Sequence, residues 1–151
     1  MTELANTFQA EIDAMRTELG SIPQEWADVP WRNGGWTRKQ ILGHLLDSAA
    51  NNRQRFVRCA IDGKYAGPGY AQDHWVNAHG YVDQSWVTLL KWWDVEHDIL
   101  AAVVKRIPES RLKAKCVVGD ADPVTLRYLI EDYLHHQRWH LSQMFGKSPK
   151  A

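Results

Sequence analysis

The segment TLRYLIEDYLHHQRWHLSQMF, residues Thr125–Phe145, decides how the rest of the chain is interpreted. Its apolar side chains recur at helical spacing at Leu126, Leu129, Tyr133 and Met144. His136 and His140 fill the gap in that apolar stripe. Side chains four residues apart on an α-helix project from one face, separated by roughly 6 Å along the axis. The segment therefore predicts a helix whose core-facing side carries two stacked imidazoles.

Three further segments have the amphipathic pattern of a helix that buries one face. They cover residues 2–19, about 38–61 and about 85–107. Thr37 and Gln40 form a capping box before the second segment, Ser85 is a candidate N-cap of the third, and Pro108 ends it. Four long amphipathic helices in 151 residues predict an all-α four-helix bundle, a single domain over residues 1–151.

Two connections between the predicted helices lack clear periodicity. Residues 63–84 are long for a loop in a compact domain, which indicates a functional or crossover segment. Within it, Asp73 could cap a short helical turn that holds Trp75 and Val76. Residues 113–122 resemble a short strand around Cys116–Val118, but no partner strand is evident, so we predict a loop there.

The composition restricts the function. Lys plus Arg equals Asp plus Glu, 18 against 18, whereas nucleic-acid binders usually carry a basic stripe or a high pI. We therefore expect a small-molecule substrate and no nucleic-acid partner. No window approaches the ~18 apolar residues of a membrane span, and the N-terminus lacks a signal-peptide core, so we expect a cytoplasmic protein without membrane contact. Cys59 and Cys116 are expected to be reduced and structural, although one disulfide is an alternative.

The paired histidines are compatible with a metal site, but not with the site of an HExxH zinc protease. Residues 137–139 are Gln-Arg-Trp, so the glutamate of a zinc-protease HExxH motif is absent. His44 lies on or beside the apolar face of the second predicted helix. Together, His44, His136 and His140 would give the three protein ligands of an open, catalytic-type metal site. The alternative is that they are hydrogen-bonded core histidines that bind no metal.

The other histidines and two nearby acids have less specific positions. His97 lies on the inward stripe of the third predicted helix, where it is more often a hydrogen-bonded core residue than a fourth ligand. We interpret three further histidines as non-ligands: His74, His79 and His135. Asp47 and Asp132 could orient a ligand imidazole, but the favoured interpretation of both is a solvated helix charge.

Three stretches together resemble the DinB/YfiT-like superfamily, in its DinB_2-type branch. They are GWTRKQILGHLLDSAANNRQRF (35–56), GYAQDHWVNAHGY (69–81) and the final helix quoted above. The resemblance implies an up-down-down-up bundle with a long crossover between the second and third long helices. It also implies a divalent metal, often nickel or zinc, at His44, His136 and His140. Known relatives include thiol-dependent isomerases and S-transferases, putative hydrolases, and many homodimers.

These expectations lead to two hypotheses of different classes. The first is a metalloenzyme that conjugates a low-molecular-weight thiol to an electrophile or hydrolyses a small substrate. Helical phase and the resemblance suggest four residues that line its pocket: Ser48, Asn51, Tyr70 and Trp75. The second is a non-catalytic bundle whose metal stabilises a binding or dimerisation module. An open coordination position beside a pocket favours the first, whereas a fourth ligand such as His97 favours the second.

Overall fold

Helices dominate the fold in the computed structural model, which describes residues 2–146. The helices are α1 (Glu3–Gly20), α2 (Arg38–Asp62), α3 (Gln72–His79), α4 (Trp86–Arg106) and α5 (Leu126–Met144). The strands are β1 (Lys64–Gly67), β2 (Lys115–Val118) and β3 (Val124–Thr125). The four long helices, α1, α2, α4 and α5, lie within about two residues of the predicted bounds, which confirms the helical bundle.

Side-chain caps fix where α2, which carries His44, and α5, which carries His136 and His140, begin. The Thr37 hydroxyl accepts a hydrogen bond from the Gln40 N–H at 3.2 Å, and the Gln40 side chain accepts one from the Thr37 N–H at 3.0 Å. This is the predicted capping box of α2. The Thr125 hydroxyl accepts from the Tyr128 N–H at the start of α5. Fixed first turns set the rotational phase of the residues that follow, including the histidines.

Contacts between helices show that α2 and α4 run in the same direction. At one level, Gln137 of α5 hydrogen-bonds both Leu45 of α2 and Trp93 of α4. Further along both helices, Arg53 of α2 pairs with Glu96 of α4 at 3.0 Å. Two neighbouring helices with the same direction require a long connection between them, and residues 63–85 provide it.

The remaining two long helices run opposite to α2 and α4. Tyr133 packs on Phe8 of α1, with ring centroids 6.1 Å apart, and Arg138 bonds Glu11 and Glu18 further along α1. Helices α1 and α5 are therefore parallel to each other. The order is up-down-down-up, as expected.

The predicted loop at residues 113–122 is wrong, because its centre forms strand β2. Strand β2 pairs in parallel with β1, in the register Lys64–Lys115, and antiparallel with β3, where Cys116 faces Val124. The partner β1 lies in the crossover, which has more regular structure than expected because α3 follows it. The capping role suggested for Asp73 is also wrong, because α3 begins after Ala71, whose side chain cannot cap it.

Arg38 joins the start of α2 to the end of α5. Its Nε donates to the Met144 carbonyl at 3.0 Å, and its Nη1 donates to the carbonyls of Val29 and Pro30 at 3.0 and 2.9 Å. The bond to Met144 satisfies a carbonyl in the last turn of α5 that has no partner within the helix. The histidines of the two helices are therefore held at the same end of the bundle.

Two further sequence expectations concern thiols and membranes. The thiols of Cys59 and Cys116 are free and buried, with their sulfur atoms 3.4 Å apart. Burial raises the pKa of the Cys116 thiol to about 12, which keeps that thiol protonated. None of the helices within residues 2–146 combines the length and the apolar character needed to span a bilayer.

Candidate metal centre

Three imidazoles from two helices meet at one point in the bundle. The Nε2 atom of His136 lies 3.1 Å from Nε2 of His44 and 3.1 Å from Nε2 of His140. All three potential ligand atoms lie within 4.8 Å of one another. Nitrogen ligands at the usual zinc–nitrogen distance of about 2.1 Å in a tetrahedron are separated by about 3.4 Å. The spacing of these donors therefore fits one transition-metal ion.

Burial keeps these imidazoles neutral. His44 is fully buried and His140 is 8% exposed. Loss of solvation, together with the neighbouring imidazoles, lowers the pKa of His44 to about 3 and that of His140 to about 4. Burial and then the charge of His135 lower the pKa of His136. A neutral imidazole has a free nitrogen lone pair, which is the form that binds a metal.

Gln143 determines which nitrogen of His140 carries the proton. Its Oε1 lies 2.7 Å from Nδ1 of His140. An amide oxygen only accepts hydrogen bonds, so Nδ1 donates and Nε2 directs a lone pair at the other two imidazoles. The buried Nδ1 of His44 has no hydrogen-bond partner among the described residues. The convergent lone pairs fit a bound cation better than a self-contained hydrogen-bond network.

Indole rings cover one side of the three histidines. The ring of Trp36 lies 5.1 Å from that of His44 and 6.5 Å from that of His140, centroid to centroid. Trp139 packs edge-on against His140 at 4.8 Å. Within residues 2–146, no fourth histidine, cysteine or carboxylate joins the cluster. The three histidines thus form a site that is shielded on one side and lacks a closing protein ligand.

A cavity of about 370 Å³ opens at His136, and neither Trp36 nor Trp139 lines it. Ser48 and Tyr70 line it, as do Arg55, Asp132 and Tyr133. Burial raises the pKa of the Tyr70 hydroxyl, so that group stays protonated. The structure thus places Ser48 and Tyr70, two of the four suggested lining residues, beside the histidine cluster.

The other two suggested lining residues, Asn51 and Trp75, face a different and larger cleft. This cleft has a volume of about 830 Å³ and is lined by α2 and the strands β1 and β2. Arg55 lines both the cleft and the cavity at His136. The larger cleft is therefore adjacent to the cavity at His136, and none of the three clustered histidines lines it.

His97 is a hydrogen-bonded core histidine, as the favoured interpretation had it. It is fully buried, and its Nδ1 lies 2.8 Å from the Trp93 carbonyl. A carbonyl only accepts, so Nδ1 donates and Nε2 accepts from the hydroxyl of Tyr133. Burial lowers the pKa of His97 to about 4. Both nitrogens are occupied, so His97 does not supply a fourth ligand.

The interpretation of Asp47 as a solvated charge is wrong. Its side chain is 2% exposed, and its Oδ1 accepts from the Tyr81 hydroxyl at 2.7 Å and lies 3.2 Å from Nδ1 of His79. Tyr81 reaches Asp47 because its ring packs on Gly43, where any side chain would collide with it. Burial raises the pKa of Asp47. Asp132 is exposed, as expected of a solvated charge, and neither acid hydrogen-bonds the histidine cluster.

Sequence reasoning missed two polar residues that shape the site. Gln143 follows His140 by three residues, so helical spacing alone could have identified it as a partner. Arg55 lies on the buried face of α2, among charged neighbours that gave no signal of burial.

Comparison with known proteins gives the family. The sequence model of the DinB superfamily matches residues 7–144. The chain belongs to the DinB superfamily. Similar proteins in Bacillus cereus strain B4264 and Bacillus anthracis strain CDC 684 carry the name "Putative metal-dependent hydrolase". Each is 30% identical over 77 residues, which cover 48% of this chain and 44% of the relative. The matched segment thus spans less than half the length of those relatives.

A solved structure supports the same fold. YfiT from Bacillus subtilis, described as a probable metal-dependent hydrolase with an unusual four-helix bundle topology, matches with a TM-score of 0.84. The match covers 96% of this chain and 86% of YfiT at 19% sequence identity. At that identity, the likeness establishes the fold.

Proposed function

We propose that this chain is a metal-dependent enzyme in which His44, His136 and His140 hold one divalent ion, zinc or nickel. One observation carries the proposal: three neutral imidazole nitrogens converge beside a cavity, and the described residues supply no fourth ligand. Three protein ligands with an open position are typical of catalytic zinc sites. Imidazole ligands suit both zinc and nickel.

The chain supplies positioning and a partly dry environment around that ion. A bound divalent ion would lower the pKa of water or of a thiol at the open position, which generates a nucleophile at neutral pH. Gln143 keeps the Nε2 lone pair of His140 directed at the site. Trp36 excludes water on one side, and Ser48 and Tyr70 offer hydroxyl groups to a substrate in the cavity at His136.

The primary candidate reaction is hydrolysis of a small substrate. The names of the relatives support it, and the cavity at His136 has the size of a small-ligand site. Asp132 lines the same cavity and is exposed, so it could accept a proton there.

A second candidate is transfer of a low-molecular-weight thiol to an electrophile. The supporting observation is that none of the described carboxylates hydrogen-bonds the three histidines. A thiol with a lowered pKa is already a thiolate at neutral pH and needs no adjacent base. Assays of ester hydrolysis, and of aryl-halide conjugation with and without an added thiol, would separate the two reactions.

The first experiment is elemental analysis of the purified protein and of metal-stripped protein reloaded with zinc or nickel. We expect about one equivalent of metal, which the His136→Ala variant does not retain. His135→Ala is the matched control, because it removes the adjacent, exposed histidine. Equal metal content in both variants, or no metal in any sample, would contradict the proposal.

A homodimer also stays a prediction. Exposed apolar side chains lie along α4 at Trp92, Val95 and Ile99, a pattern typical of a helix face that packs on a partner. Light scattering on the purified chain would give its mass in solution. A monomer at all concentrations would contradict the dimer without affecting the metal site.

A further inference from the structure

Arg55 is a buried cation without a counter-charge. It is 7% exposed, yet within residues 2–146 no carboxylate lies within 4.0 Å of its guanidinium group. Its hydrogen bonds go to the Asn52 side chain and to the Pro68 carbonyl, both at 3.4 Å. A guanidinium has five N–H donors, and a buried charge is costly unless it is paired. Arg55 thus retains donors that an anionic ligand could use.

The cleft beside Arg55 concentrates positive charge in a chain that is neutral overall. Arg58, Lys64 and Lys115 line it together with Arg55, whereas Asp62 is the single acid in the lining. None of these cations forms a salt bridge with a described carboxylate. The low-dielectric walls of a cleft strengthen such a field and attract small anions.

The strand register places two of these cations side by side. Lys64 and Lys115 are paired residues of the parallel strands β1 and β2. Like charges at directly opposed positions destabilise a sheet. The fold tolerates this pairing at the edge of the cleft, where an anion between the two ammonium groups would offset the repulsion.

The cleft has the dimensions and lining of a small-molecule site. Its volume of about 830 Å³ falls within the range of ligand pockets. Tyr65 and Trp75 give it aromatic surface, and Asn51 and Gln54 add uncharged hydrogen-bonding groups. A ligand that suits this lining carries several negative charges and a flat or apolar portion.

We propose that this cleft is a second binding site, which takes a small organic polyanion, a phosphate ester or a polycarboxylate. Arg58, Lys64 and Lys115 bind the anionic group at the mouth, and Arg55 binds it at the inner wall. Arg55 also lines the cavity at His136, so a ligand bound there would approach the histidine cluster. Anion binding itself is independent of the metal; the idea that the ligand is a substrate or cosubstrate rests on the proposed function.

Isothermal titration calorimetry with pyrophosphate and with citrate tests the site at low ionic strength. We expect saturable binding that weakens at least tenfold in the double variant Arg58→Gln/Lys64→Gln, because hydrogen bonds to charged groups are lost. The matched control is Lys105→Gln/Arg106→Gln, which removes the same charge from exposed positions at the end of α4. We expect less than a twofold change in the control.

The relative affinity of the two probes identifies the ligand chemistry. Tighter pyrophosphate binding indicates phosphate esters, and tighter citrate binding indicates polycarboxylates. Arg55→Lys keeps the charge and removes the planar fork, so its affinity should also fall while its melting temperature stays near that of the wild type.

Three results would overturn the proposal. They are the absence of saturable binding of either probe at millimolar concentration, equal weakening in the cleft variant and its control, and binding of an oligonucleotide with neither small anion bound. The titration repeated in His136→Ala separates this proposal from the metal site. Retained anion binding without metal supports the cleft alone, and metal binding without anion binding supports the histidine site alone.

Discussion

His97 and the three clustered histidines occupy similar positions and differ in how their nitrogens are used. All four side chains lie on core-facing stripes of long helices, and burial lowers the pKa of each. His97 has a separate partner for each ring nitrogen, the Trp93 carbonyl and the Tyr133 hydroxyl. In the cluster, the Nε2 atoms of His44, His136 and His140 face one another.

The comparison teaches that burial and a lowered pKa do not by themselves identify a metal site. His97 satisfies one nitrogen within its own helix and the other on α5, and the ring of Trp93 stacks on His97 at 3.9 Å. Among the clustered histidines, His140 binds Gln143 with one nitrogen and directs the other at its neighbours, and Nδ1 of His44 has no partner among the described residues. The direction of the second nitrogen is the feature that separates the two groups.

Replacing one histidine from each group by alanine gives the largest expected contrast. His44→Ala should lower metal affinity at least 100-fold, because one of three ligands is lost, and circular dichroism should show an intact helical fold. His97→Ala should retain about one equivalent of metal but lose about 2–4 kcal/mol of stability, because it leaves a cavity and an unpaired Tyr133 hydroxyl.

Chelator competition and denaturant unfolding measure these two quantities separately. Loss of metal from His97→Ala with an unchanged melting temperature would contradict the distinction between His97 and the clustered histidines. Wild-type metal content in His44→Ala would contradict it as well.

The second prediction concerns the pH dependence of stability in metal-free protein. The pKa of His97 is about 4 in the folded state and 6.5 in an unfolded chain. Because the folded pKa is depressed, the unfolded state takes up the proton first, and stability present above pH 6.5 is lost as the pH falls toward 4. Between pH 7 and pH 5, this histidine should cost about 2 kcal/mol of unfolding free energy.

His97→Gln removes that titration and leaves the other histidines in place. Guanidinium unfolding should show that, between pH 7 and pH 5, the variant loses about 2 kcal/mol less unfolding free energy than the wild type. Parallel losses in the two proteins would mean that His97 is protonated in the folded state at pH 5. In that case, burial does not hold it neutral.

The sequence predicted the long helices and the common face of His136 and His140, because both depend on local periodicity. His136 and His140 are one turn apart on an apolar stripe, so their common face followed from helix geometry alone. Their approach to His44 followed from the inward face of α2 and from the resemblance, since spacing within one helix does not determine which helix packs against it.

Features that depend on long-range packing were missed. Strand β2 has four residues, and its pairing with β1 is visible only when the crossover is folded back against it. The burial of Asp47 depends on Tyr81, which comes from the crossover and packs over Gly43. A glycine inside a helix was the available signal, because it permits close approach of another group.

Gln143 allows a smaller test of how the clustered histidines are positioned. Gln143→Ala removes the acceptor of the His140 Nδ1 proton, so the imidazole can rotate or shift its proton to Nε2. We expect metal affinity to fall about 10- to 100-fold, as is typical when a ligand histidine loses its hydrogen-bond partner. Ser142→Ala, which removes a hydroxyl bonded to the Arg138 carbonyl, is the neighbouring control. Equal affinities in the two variants would argue against a positioning role for Gln143.

His79 should give the smallest effect, although it also contacts a buried group. Its side chain is 41% exposed, and its Nδ1 lies near both Asp47 and the Trp75 carbonyl. Solvent can replace these contacts, so His79→Ala should cost less than about 1 kcal/mol of stability and leave metal binding unchanged. Tyr81→Phe should cost more, about 1–3 kcal/mol, because it removes a hydrogen bond between two buried side chains. If His79→Ala and His97→Ala lose the same unfolding free energy, then the exposure of a histidine ring does not determine how much its contacts stabilise this fold.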